Sequence, residues 1–232
     1  MIRRILILGG TREAARLAEK LSGEGNHVIS SLAGRTRDPK PVSGITRIGG
    51  FGGANGLAEY LKTEEIDLLI DATHPFATQI SENAIKASQL SGVKFQSMQR
   101  PPWEQTSGDD WIEVADLKAA RDAIPTGAKI LLALGSQYID LFKTRNDVHF
   151  LVRMVDEPIE PLPLPNHELL IGLPGSDWRQ EKQLLQDRKI THIVSRNSGG
   201  AGAYAKIEAA RKLSIPVIMI TRNYASQFNF HK

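Results

Sequence analysis

Three stretches of this 232-residue chain place glycines directly after an apolar run. Gly9-Gly10-Thr11 follows Ile5-Leu6-Ile7-Leu8. Five glycines fall in the eight positions from Gly49 to Gly56, with Gly50, Phe51, Gly52 and Gly53 at the centre. Asn197-Ser198-Gly199-Gly200 follows Ile190 to Ser195 and runs on to Lys206. A glycine turn from a strand into a helix suits an anion: free N–H groups and the positive dipole end point outward, and glycine lets backbone come close. The alternative is a tight turn with small residues for packing, which requires no ligand. Polar groups also close the run Leu68-Leu69-Ile70, namely Asp71, Thr73, His74 and Pro75. At the C-terminal end of a parallel strand such groups face the ligand crevice. Asp71 and His74 are therefore candidate proton donors, although His74 equally suits a local backbone bond. Arg100, ahead of Pro101-Pro102-Trp103, is a candidate contact for an anion.

The second strand, Val28 to Leu32, ends without the acid that holds the ribose diol of NAD. Ser30, Ser31, Arg35, Thr36 and Arg37 stand there instead, with Gly34 in the same loop. Hydroxyls and forked guanidiniums suit a 2′-phosphate, so a dinucleotide at this edge is expected to be NADP rather than NAD; the alternative is a solvated basic loop.

The elements that position these residues follow from the pattern. Apolar runs predict strands at 5–8, 28–32, 45–48, 68–70, 93–98, 130–134, 149–154, 169–172, 190–195 and 217–220. Helical spacing predicts helices after Thr11, from Leu57, over 78–90, after Asp116, over 178–187 and after the Asn197 turn. Strands alternating with helices give an α/β fold with parallel sheets flanked by helices. Residues 1–98 form a predicted nucleotide domain and 99–232 a second, smaller α/β domain, with a Pro- and Trp-rich linker over about 99–112. The chain is 41% hydrophobic, carries a formal charge of +3 and has no cysteine. Thiolate catalysis and cysteine-ligated zinc are excluded, and the six histidines lack metal-ligand spacing. No dense basic block interleaved with aromatics points to nucleic acid. No run reaches membrane-spanning length and no secretory pattern opens the chain, so a cytoplasmic protein is expected. Oligomeric state leaves no mark on the sequence.

In order and spacing, several motifs together resemble the precorrin-6A reductase family of cobalamin biosynthesis. They are Ile7 to Ala14, Gly49 to Gly53 with Gly56-Leu57, Ile70 to Ala77, Arg100 to Trp103, Asn197 to Gly200, and Ala205-Lys206-Ile207 before Ala209-Ala210-Arg211. Arg196 departs from the lysine expected before Asn197. The resemblance implies two Rossmann-like domains with cofactor and substrate in a cleft between them. It implies NADPH as hydride donor, an acidic tetrapyrrole as substrate, and reduction of one ring double bond of precorrin-6A to give precorrin-6B. Gly9, Gly10, Thr11, Ser31, Gly34, Arg35 and Thr36 are then expected to hold the nucleotide. Gly50, Phe51, Gly52, Gly53, Thr73, His74 and Pro75 are expected near the nicotinamide or the substrate. Arg100, Asn197, Ser198, Gly199, Gly200 and Lys206 are expected on substrate carboxylates. Cobalt-precorrin-6A reduction, a non-catalytic NADP-binding module and a sugar-nucleotide transferase are the alternatives.

Overall fold

The structure, a computed structural model, describes residues 2–34 and 41–222. Arg35, Thr36 and Arg37 lie outside the described residues. The chain divides into two compact units, the first reaching Arg100 and the second beginning at Pro101.

In the first unit five strands, β1 (Arg4–Leu8), β2 (His27–Leu32), β3 (Ile45–Ile48), β4 (Leu68–Asp71) and β5 (Lys94–Ser97), form one sheet in the order β3-β2-β1-β4-β5. Every pairing is parallel. The helices are α1 (Arg12–Gly23), α2 (Gly53–Thr63) and α3 (Thr78–Ser91). The unbroken apolar run of β1 reflects burial on both faces. Leu6 and Leu8 pack with Leu57 and Leu61 of α2 and Ala84 and Ala87 of α3. Ile5 and Ile7 point the other way, onto Ala14 and Ala18 of α1. A one-residue slip would exchange those two sets, so the period of two pins the register.

The second unit holds β6 (Trp111–Val114), α4 (Leu117–Asp122), β7 (Lys129–Ala133), a 3-10 turn (Ser136–Phe142), β8 (His149–Met154) and β9 (His167–Ile171). It continues with α5 (Trp178–Asp187), β10 (His192–Arg196), α6 (Ala205–Leu213) and β11 (Val217–Ile220). Its sheet is again wholly parallel, in the order β6-β11-β10-β7-β8-β9. Six strands against five make this the larger sheet among the described residues, where a smaller domain was expected. The expected linker also differs. Its end is β6, a half-exposed edge strand pairing with β11. Its start is packed into the unit: Trp103 is 9% exposed and lies in the core with Leu131, Ile193 and Ile207. Asp109 meets Arg211 of α6 in a two-point ion pair, 2.9 and 3.1 Å. Prolines and polar residues mask this packing in the sequence, because its partners, Leu131 apart, lie about a hundred positions away.

No helix of the described residues is long and apolar enough to cross a membrane. Among those residues no group of three His, Asp or Glu side chains is placed to hold a metal ion.

Candidate functional site

The strand order of the first unit reverses between β1 and β4, so the loops after these strands diverge and leave a crevice at their C-terminal ends. Gly9-Gly10-Thr11 follows β1 there, and Asp71-Ala72-Thr73 closes β4. Thr11 ties the two together. Its hydroxyl donates to the Ala72 carbonyl at 2.8 Å and accepts from Ala14 N at 3.1 Å, which caps α1. A β-carbon on Gly10 would meet no atom within 4 Å, so the space over the turn is open.

One row of residues crosses the sheet at this edge. Register pairs Arg47 with Ser31, Ser31 with Leu8, Leu8 with Asp71 and Asp71 with Ser97. Gly9 N donates to Ser31 O at 2.9 Å, and Gly49 N to Leu32 O at 2.9 Å. The structure therefore gathers Gly9, Gly10, Thr11, Ser31, Gly50 and Thr73 along one edge. Gly34 follows β2 in a left-handed turn, φ +72°, beside Ile48. Gly52 and Gly53 lead into α2, and Gly56 sits in its first turn. A β-carbon at Gly56 would collide with the Phe51 carbonyl, which explains that glycine without a ligand.

Arg47 was not anticipated from sequence. Its Nη1 donates to Gly49 O at 2.6 Å and its Nη2 to Gly50 O at 2.7 Å. Its guanidinium carbon lies 3.9 Å from the centre of the Phe51 ring, and that ring meets Tyr60 edge-on at 5.1 Å. An arginine at the end of a short exposed strand reads as solvated surface, so sequence carries no signal for this clamp.

Asp71 is 2% exposed, and its Oδ1 accepts from Thr73 N at 3.0 Å and Thr73 Oγ1 at 2.7 Å. That carboxylate is engaged in holding its own turn, which argues against its expected part as a proton donor. His74 Nδ1 accepts from Phe76 N at 3.3 Å, which leaves the ring proton on Nε2. Pro75 falls within the turn that leads to α3. Arg100 pairs with Glu13 in the first turn of α1, Nη1 to Oε1 2.8 Å, so an internal carboxylate takes up charge expected to meet a ligand. Burial pushes the Glu13 carboxyl up, but its backbone bond and Arg100 outweigh that and hold it below the ordinary range.

In the second unit the reversal falls between β10 and β7, and Asn197 to Gly200 leave the end of β10. These residues mostly grip the chain itself. Asn197 is 5% exposed. Its Oδ1 accepts from Trp103 N at 2.7 Å and its Nδ2 donates to Trp103 O at 2.9 Å. Gly200 O accepts from Trp103 Nε1 at 2.7 Å. A β-carbon on Gly199 would collide with the Pro101 carbonyl, and its φ is +66°. Ser198 Oγ donates to Arg196 O at 3.2 Å. The Arg100 to Trp103 motif and the Asn197 to Gly200 motif thus share one packing site at Pro101 and Trp103.

Lys206, expected on a substrate carboxylate, is 3% exposed. Its Nζ donates to Ala203 O at 2.9 Å and lies 5.2 Å from the Trp103 ring. Burial, then Arg153, push its amine down to about 7; Glu181 opposes and Arg196 adds to the effect. Arg153 and Glu181 form a buried pair at 2.9 Å, and Glu181 Oε1 accepts from Gly175 N at 2.8 Å. A lysine so enclosed supports the 198–204 turn from behind; direct contact with a ligand does not fit its burial. Asn197 is likewise consumed by Trp103.

A family model described as precorrin-6x reductase CbiJ/CobK matches residues 4–232. The precorrin-6A reductase of Rhodobacter capsulatus is 46% identical over 220 residues, covering 94% of this chain and 88% of its own. That of Rhodococcus erythropolis is 43% identical, covering 94% and 89%. A solved structure described as CobK precorrin-6A reductase superposes with a TM-score of 0.91 at 46% identity, over 96% of this chain and 89% of that one.

Proposed function

The chain belongs to the precorrin-6x reductase family, and on that premise we propose that it is a precorrin-6A reductase that takes hydride from NADPH. The observation that carries this reading is the 46% identity to a precorrin-6A reductase along 94% of the chain. The residues of the first unit fit a nicotinamide dinucleotide. The space over Gly10 is open, α1 presents its N-terminus beside it, and no acid ends β2.

When bound, the reduced nicotinamide supplies a hydride to one carbon of the ring double bond. The protein's part is to bind, orient and exclude water. Gly9, Gly10 and the first turn of α1 hold the pyrophosphate. Ser31 and Gly34, with Arg35 and Thr36 beyond the described residues, take the adenosine end. Gly50 to Gly53 and Thr73 to Pro75 flank the nicotinamide end. His74 gives a proton from Nε2 to the second carbon as the imidazolium, its Nδ1 having taken a proton from solvent in place of the Phe76 N contact, while Asp71 is spent on Thr73. Carboxylates of the tetrapyrrole meet the turn N–H groups of Gly199 and Gly200, since Ser198 N already donates to Arg196 O; Lys206 and Asn197 brace this turn from behind.

The test is anaerobic incubation of the protein with precorrin-6A and either NADPH or NADH. The expected result is loss of nicotinamide absorbance matched by a product two hydrogens heavier, faster with NADPH. Binding without oxidation would leave a non-catalytic module. In a second measurement, His74→Gln should lower kcat by about 10²- to 10⁴-fold with NADPH affinity unchanged; an unaltered kcat assigns the proton to water.

A further inference from the structure

We propose that Arg47 is the residue by which this protein distinguishes NADPH from NADH, its guanidinium receiving the adenosine 2′-phosphate. The inference rests on the NADPH reading above and adds the residue that enforces it. In a dinucleotide-binding unit, the position about 20 residues beyond the first glycine turn faces the adenosine ribose, and an acid there selects the free diol. Ser31 holds that position at the end of β2. Its register partner on the next strand is Arg47, whose Nη1 lies 3.5 Å from Ser31 Oγ. A cation thus stands beside the ribose position where NAD-binding proteins carry an anion.

Two further observations make this cation suited to a ligand. First, it is held rigid. Gly49 O, Gly50 O and the Phe51 ring fix its plane, so little side-chain entropy is lost when an anion binds. Second, its charge is not cancelled. It takes part in no ion pair among the described residues, whereas Arg4, Arg100, Arg153 and Arg211 are each paired with a carboxylate. Gly49 O, Gly50 O and Ser31 Oγ occupy three of its five N–H donors. Nε–H and one Nη2–H remain for phosphate oxygens, which guanidinium matches in a forked geometry. The neutral carbonyls that anchor it keep the charge in place without neutralising it.

The test compares two small probes that differ only in the 2′-phosphate, adenosine 2′,5′-bisphosphate and 5′-AMP, by titration calorimetry on the whole protein. The native protein should bind the bisphosphate about 10- to 100-fold more tightly, the value of charge-assisted bonds to one phosphate. Arg47→Gln should collapse that ratio towards one by weakening the bisphosphate alone. Equal weakening of both probes, or an unchanged ratio, overturns the proposal and leaves Arg47 a clamp for the glycine loop. Should Arg47→Gln fail to fold, Ser31→Asp decides: its carboxylate would pair with Arg47 and abolish the preference, and a preserved ratio overturns the proposal. A native protein with no preference for the bisphosphate would instead sink the NADPH reading itself.

Discussion

Asn197 does with one side chain what a neighbouring strand does with a peptide: it accepts from Trp103 N and donates to Trp103 O. Only an amide carries both functions at that spacing. Asn197→Asp keeps the shape but sets a carboxylate against the Trp103 carbonyl, inside a buried site. We expect a loss of about 2–4 kcal/mol in urea unfolding of the second unit. Lys206 sets a different signature. Its folded amine sits at about 7, below the ordinary lysine value of 10.5. Between those values the unfolded chain binds the extra proton, so this residue's contribution rises with pH across the window and is least favourable below about pH 7. Urea midpoints measured from about pH 7 to pH 10 should therefore climb more steeply for the native protein than for Lys206→Met. Parallel slopes would show that the amine keeps its ordinary affinity for protons. Neither role is legible in the sequence. The glycine turns are visible there, but the Trp103 backbone that occupies Asn197 arrives from 94 positions away. Likewise nothing in Ile45-Thr46-Arg47-Ile48 announces that Arg47 faces Ser31; only the pairing of β3 with β2 creates that contact.

Among the elements, the strands are the most legible in the sequence. Runs such as Ile130 to Leu132 and Phe150 to Val152 are buried on both faces and stay apolar throughout. β6 was hidden because an edge strand needs no such run. Trp111-Ile112-Glu113-Val114 is half exposed, and the prolines before it suggest a loop. The 3-10 turn from Ser136 to Phe142 leaves no pattern in the sequence because seven residues are too short to display helical spacing, although Ile139 and Phe142 are fully buried. Two elements depend on single ion pairs. Arg153 of β8 and Glu181 of α5 are 7% and 4% exposed at their side chains. Removing one partner strands a buried charge, so Arg153→Met should cost about 3–5 kcal/mol, read by thermal or urea melting. Asp109 binds the 101–110 segment to α6. Burial pushes its carboxyl up, but Arg211 and the Thr106 bonds prevail and hold it below 3.8. Its folded affinity for protons is depressed, so this contribution is full above the unfolded value and disappears as pH falls through the lower folded one. Asp109→Asn should thus lose stability at neutral pH and show a shallower acid transition, measurable by circular dichroism.

For the molecule as a whole, the two parallel α/β units and most of their order could be read from alternating apolar runs and glycine turns. Their relative size could not, because the sequence disguises the first residues of the second unit as a linker. Those residues share one property. Trp103 is fastened to Asn197, Asp109 to Arg211, and β6 to β11. The strand pairs of the first sheet are complete once Ser97 exists, whereas the opening stretch of the second unit finds all these partners between Asn197 and Ile220. On a ribosome that stretch must wait, with Trp103 and Trp111 unburied, while about a hundred further residues are made. Long waits of this kind expose chains to proteases and to aggregation. Synthesis therefore leaves the second unit's vulnerability in its earliest residues, and pulse-labelled exchange during refolding should find β6 amides protected together with those of β11 and not before.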